Sequence, residues 1–230
     1  MQTKSEAINT GVVEEVIASP NSRRNFLIKA GSLSMASAFV LNACKKSSSD
    51  NGVNLGSGDF GILNYAYALE QLEAAFYIKV IASPYVGITT VEAAMLTDIR
   101  DHEIAHREFF KNALGGNAII GLDVNFTTID FTSRASVLGT AKAFEDLGVS
   151  AYNGAGQLIA DVNYLALAGK IVSVEARHSA AIRVLLGVNT FADSSVLDAN
   201  ALDKSRTPAE VLAIAGAYIN TKIDASNLPS

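Results

Sequence analysis

Two short segments of the chain combine a glutamate and a histidine at helical spacing. They are Glu103-Ile-Ala-His106 and Glu175-Ala-Arg-His178, and they contain two of only three histidines among 230 residues. Residues i and i+3 share one face of a helix, so each segment directs a carboxylate and an imidazole to one point. Two such helices, joined by glutamates from two more, form the dinuclear metal sites of carboxylate-bridged four-helix bundles.

Helix signals divide the chain after residue 57 into a four-helix core, about 60–187, and one further helix. Thr89 with Glu92 predicts a capping box at the start of the second helix, and Thr207-Pro208-Ala209-Glu210 predicts another for the fifth. The β-branched and aromatic stretch 115–132 predicts a long extended crossover. The fold class is therefore all-α, with predicted helices over about 60–82, 89–114, 133–159, 162–186 and 208–222.

One glutamate interrupts the apolar stripe of each core helix. Glu73, Glu103, Glu145 and Glu175 occupy positions where steps of three and four residues place core side chains. Burying four unneutralised carboxylates costs several kcal/mol apiece, and two divalent cations would neutralise them. Carboxylate and imidazole ligands together suit iron or manganese, with zinc as a third candidate.

Six residues are thus the predicted metal ligands. Glu70 lies beside the stripe of the first helix and is the alternative to Glu73. Tyr77 and Tyr152 are candidates to hydrogen-bond a ligand carboxylate from outside the coordination sphere. The predicted ligands are Glu73, Glu103, His106, Glu145, Glu175 and His178.

A competing motif overlaps the first segment. His102-Glu103-Ile104-Ala105-His106 matches H-E-x-x-H, in which the two histidines bind zinc and the glutamate is the general base of a metallopeptidase. No glycine and third histidine follow at the spacing of the extended signature. The zinc-peptidase interpretation also leaves the second Glu-x-x-His segment unexplained, so it is the weaker alternative.

The N-terminal region resembles an export signal. Ser22-Arg23-Arg24-Asn25-Phe26-Leu27-Ile28-Lys29 is similar to a twin-arginine motif, and a short apolar run follows it. Leu41-Asn42-Ala43-Cys44 resembles a bacterial lipobox, with Cys44, the single cysteine, as the lipidated residue. We therefore expect a signal peptide over 1–43, a flexible tether over 44–57 and a domain over 58–230. This organisation predicts a protein anchored by lipid on the periplasmic face or in the outer membrane.

The composition argues against several classes of partner. The net charge is −5 and the pI is about 5.2, so the surface is mildly acidic and does not favour nucleic acid. The sequence contains no glycine-rich phosphate loop and no dinucleotide fingerprint. Metal ions are the partners that the residue types favour, and the sequence leaves the oligomeric state open.

Four segments together resemble the ferritin-like domain family, which includes the desiccation-related proteins. The similarity covers about residues 55–190 and implies a ferritin-like bundle with a di-metal site on the ligands named above, with Glu73 or Glu70 from the first helix. The segments are Glu70-Gln-Leu-Glu73-Ala-Ala-Phe-Tyr77, Asp101-His-Glu-Ile-Ala-His106, Glu145-Asp-Leu-Gly-Val-Ser-Ala-Tyr152 and Val174-Glu-Ala-Arg-His178.

The resemblance implies little about the reaction, because one fold supports many activities. A centre of two iron or manganese ions would make the protein an oxidoreductase acting on oxygen, peroxide or Fe(II), with a role in stress protection. The alternative is a non-catalytic structural or stress-related bundle with a polar seam.

Export by the twin-arginine route depends on the paired arginines. We expect replacement of Arg23-Arg24 by Lys-Lys to leave the precursor in the cytoplasm. Cell fractionation checks this outcome. Unchanged export of the Lys-Lys variant would contradict the signal assignment.

Overall fold

The computed structural model of the chain describes residues 52–187 and 190–230. The predicted twin-arginine motif and Cys44 lie outside the described residues. Within the described ranges no helix combines the length and the apolar character needed to cross a membrane.

The described residues form an all-α bundle, which confirms the predicted fold class. Four long helices make the core, and a short fifth helix follows them. Two short strands pair in parallel near the two ends of the described chain. The elements are β1 (Val53–Asn54), α1 (Gly58–Ala82), α2 (Thr90–Leu114), α3 (Arg134–Gly156), α4 (Val162–Leu186), α5 (Pro208–Ala215) and β2 (Ile223–Asp224).

Capping boxes start α2 and α5, as the sequence predicts. The Thr89 hydroxyl accepts a hydrogen bond from the Glu92 amide, and the Glu92 carboxylate accepts one from the Thr89 amide at 3.0 Å. Thr207 and Glu210 repeat the arrangement. Each box satisfies two amide groups that the first turn of a helix leaves unpaired.

The crossover between α2 and α3 runs alongside α1. Asn64 donates to the Asn117 carbonyl and accepts from the Ile119 amide. Two turns further along α1, the Gln71 side chain accepts a hydrogen bond from the Leu122 amide at 2.8 Å. These polar side chains of α1 pair backbone groups of the crossover that would otherwise be buried without partners. The crossover therefore carries the chain to the opposite end of the bundle, where α3 begins.

The helices form two close antiparallel pairs, α1 with α2 and α3 with α4. Close backbone approaches are sparse in the two remaining core interfaces, α1 with α3 and α2 with α4. Long side chains fill the space between these more widely spaced helices. The candidate ligands lie there.

Two helices end earlier than predicted. α3 ends at Gly156 rather than near 159, because the Asp59 carboxylate accepts hydrogen bonds from the amides of Ala160 and Asp161 and fixes a turn there. α5 ends at Ala215 rather than near 222. A 3-10 turn follows, and the chain then extends so that Ile223–Asp224 pairs with β1.

The segment between α4 and α5 is fastened to both helices of the second pair. Arg183 of α4 is fully buried and donates to Asp146 of α3 at 2.7 Å and to the Thr190 carbonyl at 2.6 Å. The Arg206 amide donates to the Ser150 carbonyl of α3. This segment therefore covers the outer face of α3 and α4.

The close approach of Arg206 to α3 requires a glycine. A Cβ at Gly154 would lie 1.8 Å from the Arg206 carbonyl oxygen, which is backbone and cannot swing away. Gly139, in the same helix, has open space at the corresponding position beyond the backbone of its own helix.

We expect Gly154→Ala to lower the free energy of unfolding, because the covering segment must move away from α3. Gly139→Ala is the matched control and should raise it by up to about 1 kcal/mol, since alanine favours a helix over glycine. Urea unfolding of both variants gives the comparison. A Gly154→Ala protein as stable as the control would contradict the close approach.

Candidate metal centre

Six side chains from the four core helices converge in two overlapping groups. Within each group one ligand atom from every residue lies within 4.8 Å of the others. We call them the outer group, in which the His106 side chain is 13 % exposed, and the inner group, which is buried throughout. The outer group is Glu70, Glu103, His106 and Glu175, and the inner group is Glu103, Glu145, Glu175 and His178.

Each histidine reaches the glutamate of the opposite helix. His106 Nδ1 of α2 lies 2.7 Å from Glu175 Oε1 of α4, and His178 Nδ1 of α4 lies 2.8 Å from Glu103 Oε1 of α2. The same Nδ1 atoms lie 3.9 Å and 3.5 Å from the glutamates of their own segments. The two Glu-x-x-His segments therefore interlock across the α2–α4 interface. Glu103 and Glu175 contribute to both groups.

Two tyrosines hold the glutamates that belong to one group only. Tyr77 of α1 donates to Glu145 Oε1 of α3 at 2.5 Å, and Tyr152 of α3 donates to Glu70 Oε1 of α1. The second oxygen of each carboxylate, Oε2, makes no hydrogen bond within the described residues. Each of these carboxylates thus has one oxygen fixed and one available.

The available atoms are concentrated at this site. Among the described residues, ten buried side-chain nitrogen and oxygen atoms lack a hydrogen bond of acceptable geometry, and eight belong to the two groups. Buried polar atoms normally have partners, so such a concentration needs an explanation. Oxygen atoms of carboxylates and lone pairs of imidazoles are the ligands that iron, manganese and zinc take in proteins. The donor set therefore fits the binding of metal ions.

Comparison with known families agrees with the geometry. The family model of the ferritin-like domain matches residues 58–188, more than half of the chain. The chain belongs to the ferritin-like domain family. The match contains α1 to α4 and all six residues of the two groups. No curated protein matches the sequence.

Protons balance the charge of this ferritin-like site when cations are absent. Burial alone would lower the pKa of His106, but the carboxylates of Glu70 and Glu175 outweigh it and raise the pKa to about 11. The pKa of His178 is also raised, because Glu103, Glu145 and Glu175 outweigh the effect of burial. Burial would raise the pKa of Glu175, but the two imidazoles lower it to about 2. Both histidines are therefore cations in the metal-free protein.

The remaining carboxylates hold protons more tightly than usual. Burial raises the pKa of Glu145 to about 7, although the nearby His178 and the hydroxyl of Tyr77 oppose it. Burial and the charge of Glu175 raise the pKa of Glu103, against the opposing effect of His178. The metal-free site therefore does not ionise all of its carboxyl groups as readily as exposed glutamates would ionise.

The structure places Glu70, not Glu73, with the other ligand candidates. Glu73 is buried but lies in neither group, and its Oε1 is 3.1 Å from the position that a Cβ at Gly148 would occupy. Burial, and next the charge of Glu103, raise the pKa of Glu73. The apolar stripe favoured Glu73, but α1 is buried on nearly all sides, so periodicity cannot identify its inward face. The other five predicted ligands lie together.

His102, the first histidine of the H-E-x-x-H motif, belongs to neither group of the ferritin-like site. Its Nδ1 lies 2.9 Å from Nε2 of His178, on the side of that ring away from the carboxylates. His102 and His106 therefore do not converge as the zinc-peptidase alternative requires. Sequence reasoning treated His102 only as a zinc ligand and missed its contact with His178.

The raised pKa of Glu145 predicts the pH dependence of stability in the metal-free protein. The folded state binds a proton at Glu145 up to about pH 7, whereas the unfolded chain releases it near 4.5. This stabilisation is complete below pH 4.5 and is lost as the pH rises through 7, by about 3 kcal/mol. Over the same window the lowered pKa of Glu175 changes nothing, because its effect appears only below pH 4.5.

We therefore expect chelator-treated protein to lose unfolding free energy between pH 5 and pH 7, and Glu145→Gln to lose less. Urea titrations at each pH give the slope. A stability that rises with pH, or an identical slope in the Gln variant, would contradict the assignment.

Proposed function

We propose that this ferritin-like protein binds two divalent ions of iron or manganese, with zinc as a third candidate. Glu70 and His106 would hold one ion, Glu145 and His178 the other, and Glu103 would contribute to both, as would Glu175. The observation that carries the proposal is the overlap of the two groups, which share Glu103 and Glu175. A carboxylate with two oxygens available is the side chain that can bridge two ions.

The charge of the residues supports two ions rather than one. Four carboxylates and two neutral imidazoles give the two groups a charge of −4, which two divalent cations neutralise. A single divalent ion would leave a charge of −2 in a site buried at almost every residue. Buried charges without partners are strongly unfavourable, so the burial of the site favours two ions over one.

Redox chemistry is the function that we propose for the site. When bound, a pair of iron or manganese ions supplies two-electron chemistry, and oxygen, peroxide and Fe(II) are the substrates that we favour. The chain excludes bulk water from the inner group, and Tyr77 and Tyr152 keep Glu145 and Glu70 in fixed orientations. His106 is the most exposed member and marks the side of the site nearest to solvent.

We also propose that the site works outside the cytoplasm, in stress protection, on a protein anchored at Cys44 and related to the desiccation-related members of the family. The export experiment above tests the location.

Metal analysis of matched variants tests the ligand set. We expect wild-type protein to contain about two ions per chain, Glu70→Gln about one and Glu103→Ala none, because Glu103 serves both positions. Glu73→Gln is the control and should keep two, since Glu73 lies outside both groups. Elemental analysis after iron or manganese loading measures the content. A Glu73→Gln protein that loses an ion while Glu70→Gln keeps two would reverse the assignment.

Turnover separates an enzyme from a binding bundle. Iron-loaded and manganese-loaded protein should react with hydrogen peroxide, or with Fe(II) and oxygen, and Glu145→Ala should lose this turnover. A loaded protein inert to both substrates with both metals would instead support the non-catalytic structural bundle.

A further inference from the structure

His178 is held through both of its ring nitrogens. Nδ1 faces the carboxylates and lies 2.8 Å from Glu103 Oε1, while Nε2 lies 2.9 Å from Nδ1 of His102. The two imidazole rings are nearly parallel, at 13°, with centroids 5.2 Å apart. His102 directly precedes Glu103 in α2, so one turn of one helix supplies a shared carboxylate and the support for a histidine of α4.

A metal ion bound to His178 would determine which ring nitrogens of His178 and His102 carry protons. An ion needs the lone pair of Nδ1, so the ring proton must be on Nε2. Nε2 then donates to Nδ1 of His102, which must accept and therefore carries its own proton on Nε2. Partners of this kind fix the tautomer and the orientation of a ligand histidine, and they raise its basicity. Carboxylates and carbonyls are the usual partners, and here the acceptor would be Nδ1 of a second imidazole.

We infer that His102 is a positioning residue for His178 and that it makes the inner metal position the tighter of the two. The inference rests on the proposed two-ion site and specifies the order in which that site fills. The inner position should bind its ion first, and the outer position should bind second.

The outer histidine has no such support. His106 Nε2 makes no hydrogen bond within the described residues, and its side chain is 13 % exposed, compared with 5 % for His178. The two Glu-x-x-His segments are repeats, and the residue that corresponds to His102 in the second is Val174. A valine side chain cannot accept a hydrogen bond. The sequence repeat is therefore broken at the one position that would support His106.

Two substitutions of His102 separate the hydrogen bond from packing. His102→Asn keeps an acceptor, Oδ1, at the same number of bonds from the backbone as Nδ1. His102→Leu has the same number of side-chain heavy atoms as the Asn variant and the same branching at Cγ, and it removes the acceptor. Both substitutions lose the imidazole ring, so the difference between them reports chiefly the hydrogen bond. Val174→Ala is the control at the corresponding position of the other segment.

Titration of metal-free protein with Mn²⁺, with free Mn²⁺ measured by electron paramagnetic resonance, tests the inference. We expect two binding steps in wild type. His102→Leu should weaken the tighter step by about 10- to 100-fold and leave the weaker step unchanged. His102→Asn should recover most of that loss, and Val174→Ala should alter neither step.

The exchange rate of the His178 ring proton is a second measurement, and it reports the hydrogen bond and not the packing. In Zn²⁺-loaded protein with ¹⁵N-labelled histidine, the proton on His178 Nε2 should exchange slowly in wild type and in His102→Asn, and rapidly in His102→Leu.

Equal Mn²⁺ affinities in the Leu and Asn variants would overturn the inference, and so would a loss confined to the weaker step. Either result, with two ions still bound by wild type, leaves the proposed two-ion site intact. A wild type that binds no Mn²⁺ at all would overturn both.

Discussion

The cost of placing four carboxylates inside a helical bundle governs the rest of the molecule. Their negative charges cannot remain in the core without cations, whether these are protons on the two imidazoles or metal ions. The metal-free protein uses both histidines of the site, His106 and His178, in this way, and the pKa of Glu145 still rises to about 7. The core therefore gains stability when ions replace these protons, which couples folding to metal binding.

In both of the wider helix interfaces, each helix supplies a glutamate and also the side chain that contacts the glutamate of the opposite helix. Between α1 and α3, Tyr77 contacts Glu145 while Tyr152 contacts Glu70. Between α2 and α4, each histidine contacts the glutamate of the opposite helix. Antiparallel helices bring such pairs into register automatically, so two short sequence patterns suffice to define a site on four helices. The symmetry is approximate, since only one of the two histidines has a second imidazole behind it.

Much of this could be predicted from the sequence because the signals are local. Capping boxes and the i, i+3 spacing of glutamate and histidine depend on a single helix, and the structure agrees with them. The choice between Glu70 and Glu73 depends on how α1 is rotated within the bundle, and a helix that is buried on nearly all sides does not encode that rotation in its apolar pattern. The early end of α5 depends on pairing with residues at the other end of the chain, which no local signal contains.

The contact between His102 and His178 was hidden for a related reason. The contact depends on the separation and rotation of α2 and α4, and the H-E-x-x-H motif indicated a zinc ligand instead. Gly148 and Gly154 present a similar case, because glycine has a low helix propensity and both lie within α3. One leaves space for the Glu73 carboxylate and the other for the backbone of Arg206.

The parallel pair of β1 and β2 has a mechanical consequence. The Val53 amide donates to the Lys222 carbonyl, and the Leu55 amide donates to the Asp224 carbonyl. Tension applied to the chain ahead of Val53 is therefore borne first by these two hydrogen bonds, and only afterwards by the start of α1. The pair therefore acts as a clamp between the chain ahead of Val53 and the start of α1. Separation of β1 from β2 would precede any displacement of the helices that carry the buried carboxylates.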